Sequence, residues 1–180
     1  MYYLVMLRAD RLYINVKEYF FSFIILLTIL LTIINFCFLL EFNYNDDLRD
    51  FFYKGESLNV KFSQVEISHL QDVKDLVINL IIINLVLIFV SVFVFKKANR
   101  IIHSLFFFVL MLFVIVIFFD YFFYEIHYLL FNNLNWQLPS NSLLLQTYPI
   151  SYFRNVFIMI LALFILFSVV FERLRIGYFK

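Results

Sequence analysis

Charged residues are scarce in this sequence of 180 residues: they make up 15% of the chain, whereas hydrophobic residues make up 64%. A soluble domain is typically about 25% charged and about 45–50% apolar. With a mean hydropathy of +0.93, the chain has too little polar surface to cover itself in water. This composition excludes a soluble globular protein, a disordered chain and a nucleic-acid binder with a basic face. We therefore predict an integral membrane protein without a nucleic-acid partner.

Cysteine, glycine and histidine are also rare, with 1, 2 and 3 residues respectively. The single Cys37 can form no disulfide within the chain, and we interpret it as a small buried hydrophobic residue. A closed zinc site usually needs more cysteine or histidine than this chain offers. The sequence contains no P-loop, dinucleotide-binding motif or nucleophile elbow. We therefore expect neither a metal nor another cofactor.

Four runs without a charged residue are long enough to cross a membrane: 19–40, 76–95, 101–119 and 155–171. A helix needs roughly 20 apolar residues, with a range of about 17–25, to cross a hydrocarbon core of about 30 Å. Unpaired backbone groups are costly in lipid, so these runs must be helical. We predict one all-α membrane domain over 1–180, with an uncleaved first helix. The predicted architecture is a four-transmembrane-helix bundle with spans at approximately 19–41, 76–96, 101–123 and 154–172.

The distribution of basic residues predicts the orientation of these spans. Nine of the 14 lysine and arginine residues lie before the first span, between the second and third spans, or after the fourth. The other five lie in the two long connections. The positive-inside rule therefore predicts that both termini are cytoplasmic. We call residues 42–75 the first loop segment and residues 124–153 the second loop segment. Both are predicted to face outward and to form a small cap.

Polar residues inside the predicted spans are uncharged. Thr28, Thr32 and Asn35 share one face of the first span, and Asn79 and Asn84 lie in the second. Such residues usually form hydrogen bonds to neighbouring transmembrane helices. No acidic or basic residue lies at mid-bilayer depth, where proton pumps and ion-coupled carriers usually need one. The pattern indicates helix packing and argues against a transporter.

The first loop segment contains signals for local structure. Residues 46–54 predict a short interfacial helix, because acidic residues open it and Gly55 can cap its end. Hydrophobic and polar residues alternate over 58–62, which is typical of a short strand. Ser63 and Glu66 have the spacing of a capping box, with Ser63 as the N-cap of a helix that continues into the second span.

Two of the three histidines, His69 and His127, lie in the loop segments, at helix ends that a four-helix bundle brings together. An imidazole titrates near neutral pH, and one that is oriented by a carboxylate is a common general base. The nearby carboxylates are Glu66 and Asp72 for His69, and Glu125 and Asp120 for His127. A purely structural role for both histidines is the simpler alternative, and a metal pair at Glu66-x-x-His69 is another. His103, beside Arg100, is expected to be a solvated residue at the cytoplasmic side.

Two motifs in the loop segments resemble a known family. The first is Glu66-Ile-Ser-His69-Leu-Gln-Asp72-Val-Lys74, directly before the second span. The second is His127-Tyr-Leu-Leu-Phe-Asn-Asn-Leu-Asn-Trp136-Gln-Leu-Pro139, followed by Tyr148-Pro149. Both resemble signatures of the lipoprotein intramolecular transacylases, small four-span membrane proteins of bacteria. The chain departs from that pattern at Arg154, where an acidic residue is expected after an aromatic pair.

The resemblance implies an enzyme of the plasma membrane. Such an acyltransferase moves the sn-2 acyl chain of a diacylglyceryl-cysteine lipoprotein onto the α-amino group of the same cysteine, without a cofactor. The product is a lyso-form lipoprotein, and the partners are diacylated bacterial lipoproteins and membrane lipid. The resemblance assigns general acid and base catalysis to His69 and His127, at the outer leaflet. From their positions beside these histidines, we expect supporting roles for Glu66, Asp72, Lys74 and Glu125. We expect a substrate or interface loop with Trp136, Pro139, Tyr148 and Pro149.

Two other functions fit the same residues. The chain could be a non-catalytic assembly or sensor subunit, with the loop segments as a docking surface and the histidines as pH-sensing or structural groups. It could also be a metal-dependent membrane hydrolase.

Overall fold

The computed structural model describes residues 2–42, 46–55, 58 and 62–178, and this part of the chain is 86% helical without a strand. A π-helical turn (Asp50–Lys54) follows the second helix, and a 3-10 turn (Phe95–Lys97) follows the third. The α-helices are α1 (Tyr2–Phe42), α2 (Asp46–Arg49), α3 (Gln64–Val94), α4 (Ile101–Ile117), α5 (Phe119–Leu130), α6 (Leu143–Thr147) and α7 (Ile150–Tyr178).

Three helical stretches are long and apolar enough to cross a membrane, namely Asn15–Leu40, Gln64–Lys97 and Ile150–Tyr178. A fourth crossing is present if α4 and α5 count as one bent span. The chain is therefore a multi-pass membrane protein by length and composition, as predicted.

The third predicted span is not one straight helix. α4 ends at Ile117, and α5 leaves at an angle of 101° to it. Phe118 at the corner has φ −105° and ψ 35°, outside the α-helical region. Most sharp bends occur at proline, glycine or a π-bulge, and the sequence has neither of those residues here. The predicted range 101–123 thus runs past a bend that the composition does not indicate.

The core of the bundle forms around α1, which contacts α3, α4 and α7. Leu26 of α1 and Phe164 of α7 are completely buried, together with Ile101 at the start of α4. The polar stripe on α1 faces α3, since the Thr28 and Ser91 hydroxyls lie 2.8 Å apart. Asn84 Nδ2 donates to Thr32 Oγ1 at 3.2 Å, and Asn35 Nδ2 donates to the Leu80 carbonyl at 3.4 Å. These bonds confirm that the stripe serves helix packing.

A polar network closes the end of the bundle where α3 leads into α4. The buried Arg175 and Glu172 of α7 form an ion pair, with Nε to Oε2 at 2.7 Å. Arg175 also donates to Asn99, whose amide donates to Glu18 of α1. Arg100 pairs with the same Glu18 at 3.2 Å. The network ties α1, α7 and the connection before α4 to one another.

The opposite end of the bundle has its own small hydrophobic cluster. Leu48 and Phe51 of the first loop segment, Leu70 of α3 and Leu144 of the second loop segment are buried together. The helix predicted at 46–54 is confirmed as α2 and the π-helical turn, and Gly55 ends it with φ +73°. The strand predicted over 58–62 falls mostly outside the described residues. The first turns of α3 are therefore the centre on which both loop segments pack.

Candidate functional site

The structure brings His69 and His127 together, with ring centroids 6.1 Å apart. His69 lies in the second turn of α3, whose start is fixed by the predicted capping box between Ser63 and Glu66. His127 lies in the last turn of α5. The bend at Phe118 turns α5 away from the direction of α4. The predicted proximity of the two histidines is thus confirmed.

Aromatic rings surround the two imidazoles. The Phe131 ring lies 5.2 Å from His69 and 5.6 Å from His127, between centroids. Phe123 lies 4.3 Å from His127 on one side, and Trp136 lies 5.2 Å from it on another. His69 itself is only 8% exposed. The pair therefore sits in a largely apolar enclosure, in which His69 is buried and His127 is half-buried.

The hydrogen-bonding of His127 fixes its neutral tautomer. Its Nδ1 atom lies 2.6 Å from the carbonyl oxygen of Phe123. A carbonyl oxygen only accepts, so Nδ1 carries the proton, and in the neutral ring Nε2 is left with a lone pair. His69 differs, because its Nδ1 is buried and has no hydrogen-bond partner among the described residues. One imidazole is thus oriented by the protein, and the other has an unsatisfied buried ring nitrogen.

The carboxylates expected to orient His69 do not contact it in the described part of the chain. Glu66 Oε2 accepts from the backbone N–H and the hydroxyl of Ser63, both at 2.7 Å, and Oε1 accepts from Leu144 N–H at 2.8 Å. Asp72 Oδ2 accepts from Asn133 Nδ2 at 2.9 Å. Both carboxylates hold the second loop segment, so the expectation that either one orients His69 is corrected.

The expectation for His127 is corrected in the same way. Asp120 forms an ion pair with Arg154, the residue at which the sequence departs from the family pattern. Glu125 is exposed, and the described residues supply no partner for it. The Phe123 carbonyl therefore replaces the predicted carboxylates. A backbone carbonyl four residues earlier is available in any helix, and for that reason the sequence alone gave no signal for it.

Lys74 and the predicted loop residues have different surroundings. Lys74 Nζ donates to the Phe51 carbonyl at 2.7 Å and lies 4.7 Å from that ring, so it holds the first loop segment. Tyr148 packs against the cluster around Leu70 and next to Tyr152. The Pro139 and Pro149 carbonyls accept turn hydrogen bonds from Ser142 and Tyr152. Among these, only Trp136 lies beside a histidine.

Trp136 is enclosed as deeply as His69. It is 8% exposed, and the Tyr128 ring meets it edge-on with centroids 4.7 Å apart. Its Nε1 is buried without a hydrogen-bond partner in the described part of the chain. Buried polar groups are nearly always paired, so an unpaired one is a candidate for substrate contact.

The metal-dependent hydrolase alternative requires a cluster of metal-binding side chains. Within residues 2–42, 46–55, 58 and 62–178, no group of three or more His, Cys, Asp or Glu side chains could hold a metal ion.

A known protein family matches the part of the chain that holds these residues. No curated protein and no solved structure matches the chain significantly. The sequence model of the family described as lipoprotein intramolecular transacylase Lit matches residues 42–153. That range is more than half of the chain, and it holds both histidines, both motifs and the helices that carry them. Members of this family modify lipoproteins by transacylation, and the apolar helices of the chain fit a membrane protein. The chain therefore belongs to the lipoprotein intramolecular transacylase family.

Proposed function

We propose that this enzyme moves the sn-2 acyl chain of a diacylglyceryl-cysteine lipoprotein onto the α-amino group of the same cysteine, by acid–base catalysis at His69 and His127. The observation that carries the proposal is the pair of imidazoles 6.1 Å apart in an aromatic enclosure. The family match adds the lipoprotein substrate. The product is a lyso-form lipoprotein with an amide at its N-terminus and a free sn-2 hydroxyl.

The reaction balances without a cofactor. The amine nitrogen attacks the sn-2 ester carbonyl, the C–N bond forms, and the C–O bond to glycerol breaks. The proton that the nitrogen loses is equivalent to the one that the glycerol oxygen gains. An ester becomes a more stable amide, so no nucleotide is needed to drive the transfer. Two groups that can each hold a proton are sufficient for this chemistry.

The two histidines are assigned different tasks. His127 is proposed as the base, because its Nδ1 proton is committed to the Phe123 carbonyl and its Nε2 lone pair is available. His69 is proposed to receive the amine proton from His127 and to pass a proton on to the glycerol oxygen, since it lies beside His127 and has a ring nitrogen without a partner in the described chain. The proton therefore moves within the enclosure.

The oxyanion of the tetrahedral intermediate needs a hydrogen-bond donor. We assign this role to the Nε1–H of Trp136, which is buried without a partner among the described residues and belongs to a ring 5.2 Å from His127. In a water-excluded site such a donor acts without competition from solvent.

The substrate supplies part of the rate itself. Its amine and its ester belong to one molecule, so binding has only to orient them for attack. No nucleophilic side chain is required, and Cys37 lies in α1, outside the residues that surround the histidines.

We further propose that the site faces the outer leaflet of the plasma membrane, with both termini in the cytoplasm. The basic residues support this orientation, because nine of 14 lie at the termini and at the connection between α3 and α4. His69 is near the other end of α3, whose 31 residues span about 46 Å at about 1.5 Å per residue.

Mass spectrometry of lipoprotein N-termini tests the proposed function. The chain is expressed in bacterial cells whose lipoproteins carry a diacylglyceryl-cysteine with a free amine. We expect one acyl chain to move from glycerol to nitrogen, which fragmentation distinguishes although the total mass is unchanged. Diacyl N-termini that stay unmodified beside well-expressed, membrane-inserted protein would contradict the proposal and favour a non-catalytic subunit.

A further inference from the structure

Three hydrogen bonds connect the first turns of α3 to the second loop segment. Asn133 Nδ2 donates to Asp72 Oδ2 at 2.9 Å, and Asn135 Nδ2 donates to Ser68 Oγ at 2.9 Å. Two residues before Ser68, Glu66 accepts from the Leu144 backbone N–H of α6. We call the first two bonds, Asp72–Asn133 and Ser68–Asn135, the loop clamp.

The loop clamp joins two stretches of the chain, one next to His69 and the other next to Trp136. Ser68 directly precedes His69, and Asp72 lies one turn after it on α3. Asn135 directly precedes Trp136, which lies against His127, and Asn133 lies three residues before Trp136. The turn between them is stiffened, because Asn133 Oδ1 accepts from the Asn135 backbone N–H at 2.9 Å. The clamp thus joins the residues next to His69 to the residues next to Trp136.

We propose that the loop clamp, and above all Asp72 with Asn133, positions Trp136 and through it His127 against His69. This inference rests on the proposed function. Neither residue touches the reacting atoms, so both are positioning residues. The Asp72 bond is the stronger of the two, because its acceptor is ionised. The two motifs therefore share one further role, which is to hold His69 and Trp136 at a fixed distance from each other.

The rate of the reaction is sensitive to small displacements of the residues that such a clamp holds. A displacement of about 1 Å in the reacting groups can reduce a rate about 10²-fold. Since α3 and α5 are separate helices, and a loop follows α5, the distance between the histidines depends on contacts of this kind.

A charge exchange tests the inference. Asn133→Asp is nearly isosteric and puts a second carboxylate against Asp72, so the two repel and the loop is displaced. Asp72→Asn alone still accepts a hydrogen bond from Asn133. The double variant Asp72→Asn with Asn133→Asp restores a charge-assisted bond with donor and acceptor exchanged. Asn141→Asp is the matched control, because it adds the same charge to an exposed position in the same loop segment.

Two readouts separate positioning from folding. The first is the turnover of a synthetic diacylglyceryl-cysteine lipopeptide by the full-length protein in nanodiscs, as kcat and KM. The second is the fluorescence of Trp136, the only tryptophan in the chain, which reports the docking of the loop. We expect Asn133→Asp to lower kcat about 10²-fold. We also expect it to shift Trp136 emission to longer wavelength at unchanged helical circular dichroism.

The exchange variant decides the result. Recovery of at least a tenth of the wild-type kcat and of the wild-type emission in the double variant supports the inference. If Asn133→Asp is as active as Asn141→Asp, or if the double variant is no better than Asn133→Asp, the inference is overturned and the proposed function stands. A wild-type protein that leaves the lipopeptide unchanged overturns the proposed function itself, and the inference with it.

Discussion

The Nδ1 atom of His127 lies 2.6 Å from the carbonyl oxygen of Phe123, one turn earlier in the same helix. The bond orients the imidazole without a carboxylate, so no second charge has to be buried in the aromatic enclosure. It also leaves Nε2 as the basic atom, which supports His127 as the group that deprotonates the amine. The site therefore relies on helix geometry where a catalytic triad relies on an acidic residue.

The two loop-segment histidines are expected to be required, and the third is not. His69→Ala and His127→Ala should each reduce the rate of acyl transfer at least about 10²-fold, the usual contribution of acid–base catalysis. His103→Ala is the matched control, because His103 is exposed at the end of the bundle near Arg100. The measurement is initial velocity with diacyl lipopeptide, at equal amounts of folded protein. Full activity in both loop-segment variants would refute the assignment of the site.

Glu66 is expected to matter for stability, because its carboxylate binds two helix starts. Glu66→Gln keeps one acceptor oxygen but replaces the other with an NH₂ group, which cannot accept from Ser63. An unpaired buried group costs about 1–3 kcal/mol, so the thermal unfolding midpoint in detergent should fall. Glu125→Gln is the control, because Glu125 is exposed and the described residues give it no partner. Equal midpoints for the two variants would count against the role of Glu66 in the fold.

Helix ends and hydrogen bonds between spans could be predicted from the sequence of this chain. Ser63 and Glu66 form the capping box that their spacing indicated, and Gly55 ends a short helix as expected. Thr28 and Thr32 bond to α3, because a polar group in lipid has few other partners. Each of these features depends on residues one or two turns apart, or on the lipid that surrounds a transmembrane helix.

The hydrogen-bond partners of the acidic residues cannot be predicted from residues nearby in the sequence. Glu66 bonds to the Leu144 backbone 78 positions away, and Asp72 bonds to Asn133 61 positions away. The nearer histidine was the obvious partner from spacing alone, but tertiary packing offered each carboxylate a better donor. The bend at Phe118 escaped prediction for a related reason. No proline or glycine marks it, and an ion pair between Asp120 and Arg154 lies directly beyond it.

The proposed orientation predicts which positions can be labelled from outside the cell. With Cys37→Ser as background, Asn141→Cys should react in intact cells with a maleimide that cannot cross the membrane. Lys97→Cys, at the connection between α3 and α4, should react only after the membrane is permeabilised. The measurement is the mass shift of the purified protein. The reverse labelling pattern would place the histidines in the cytoplasmic half and contradict the outer-leaflet site.

The proposed oxyanion donor can be removed without changing the shape of the side chain. Trp136 is the only tryptophan, so biosynthetic replacement by benzothienylalanine changes one position and substitutes sulfur for the Nε1–H. Loss of one preorganised donor typically lowers kcat about 10²–10³-fold. We expect a decrease of that size with little change in KM, since ring packing against His127 and Tyr128 is preserved. Protein containing 5-fluorotryptophan is the matched control, because it keeps the N–H. Equal kcat values for the two proteins would remove Trp136 from the chemistry and leave its ring with a packing role alone.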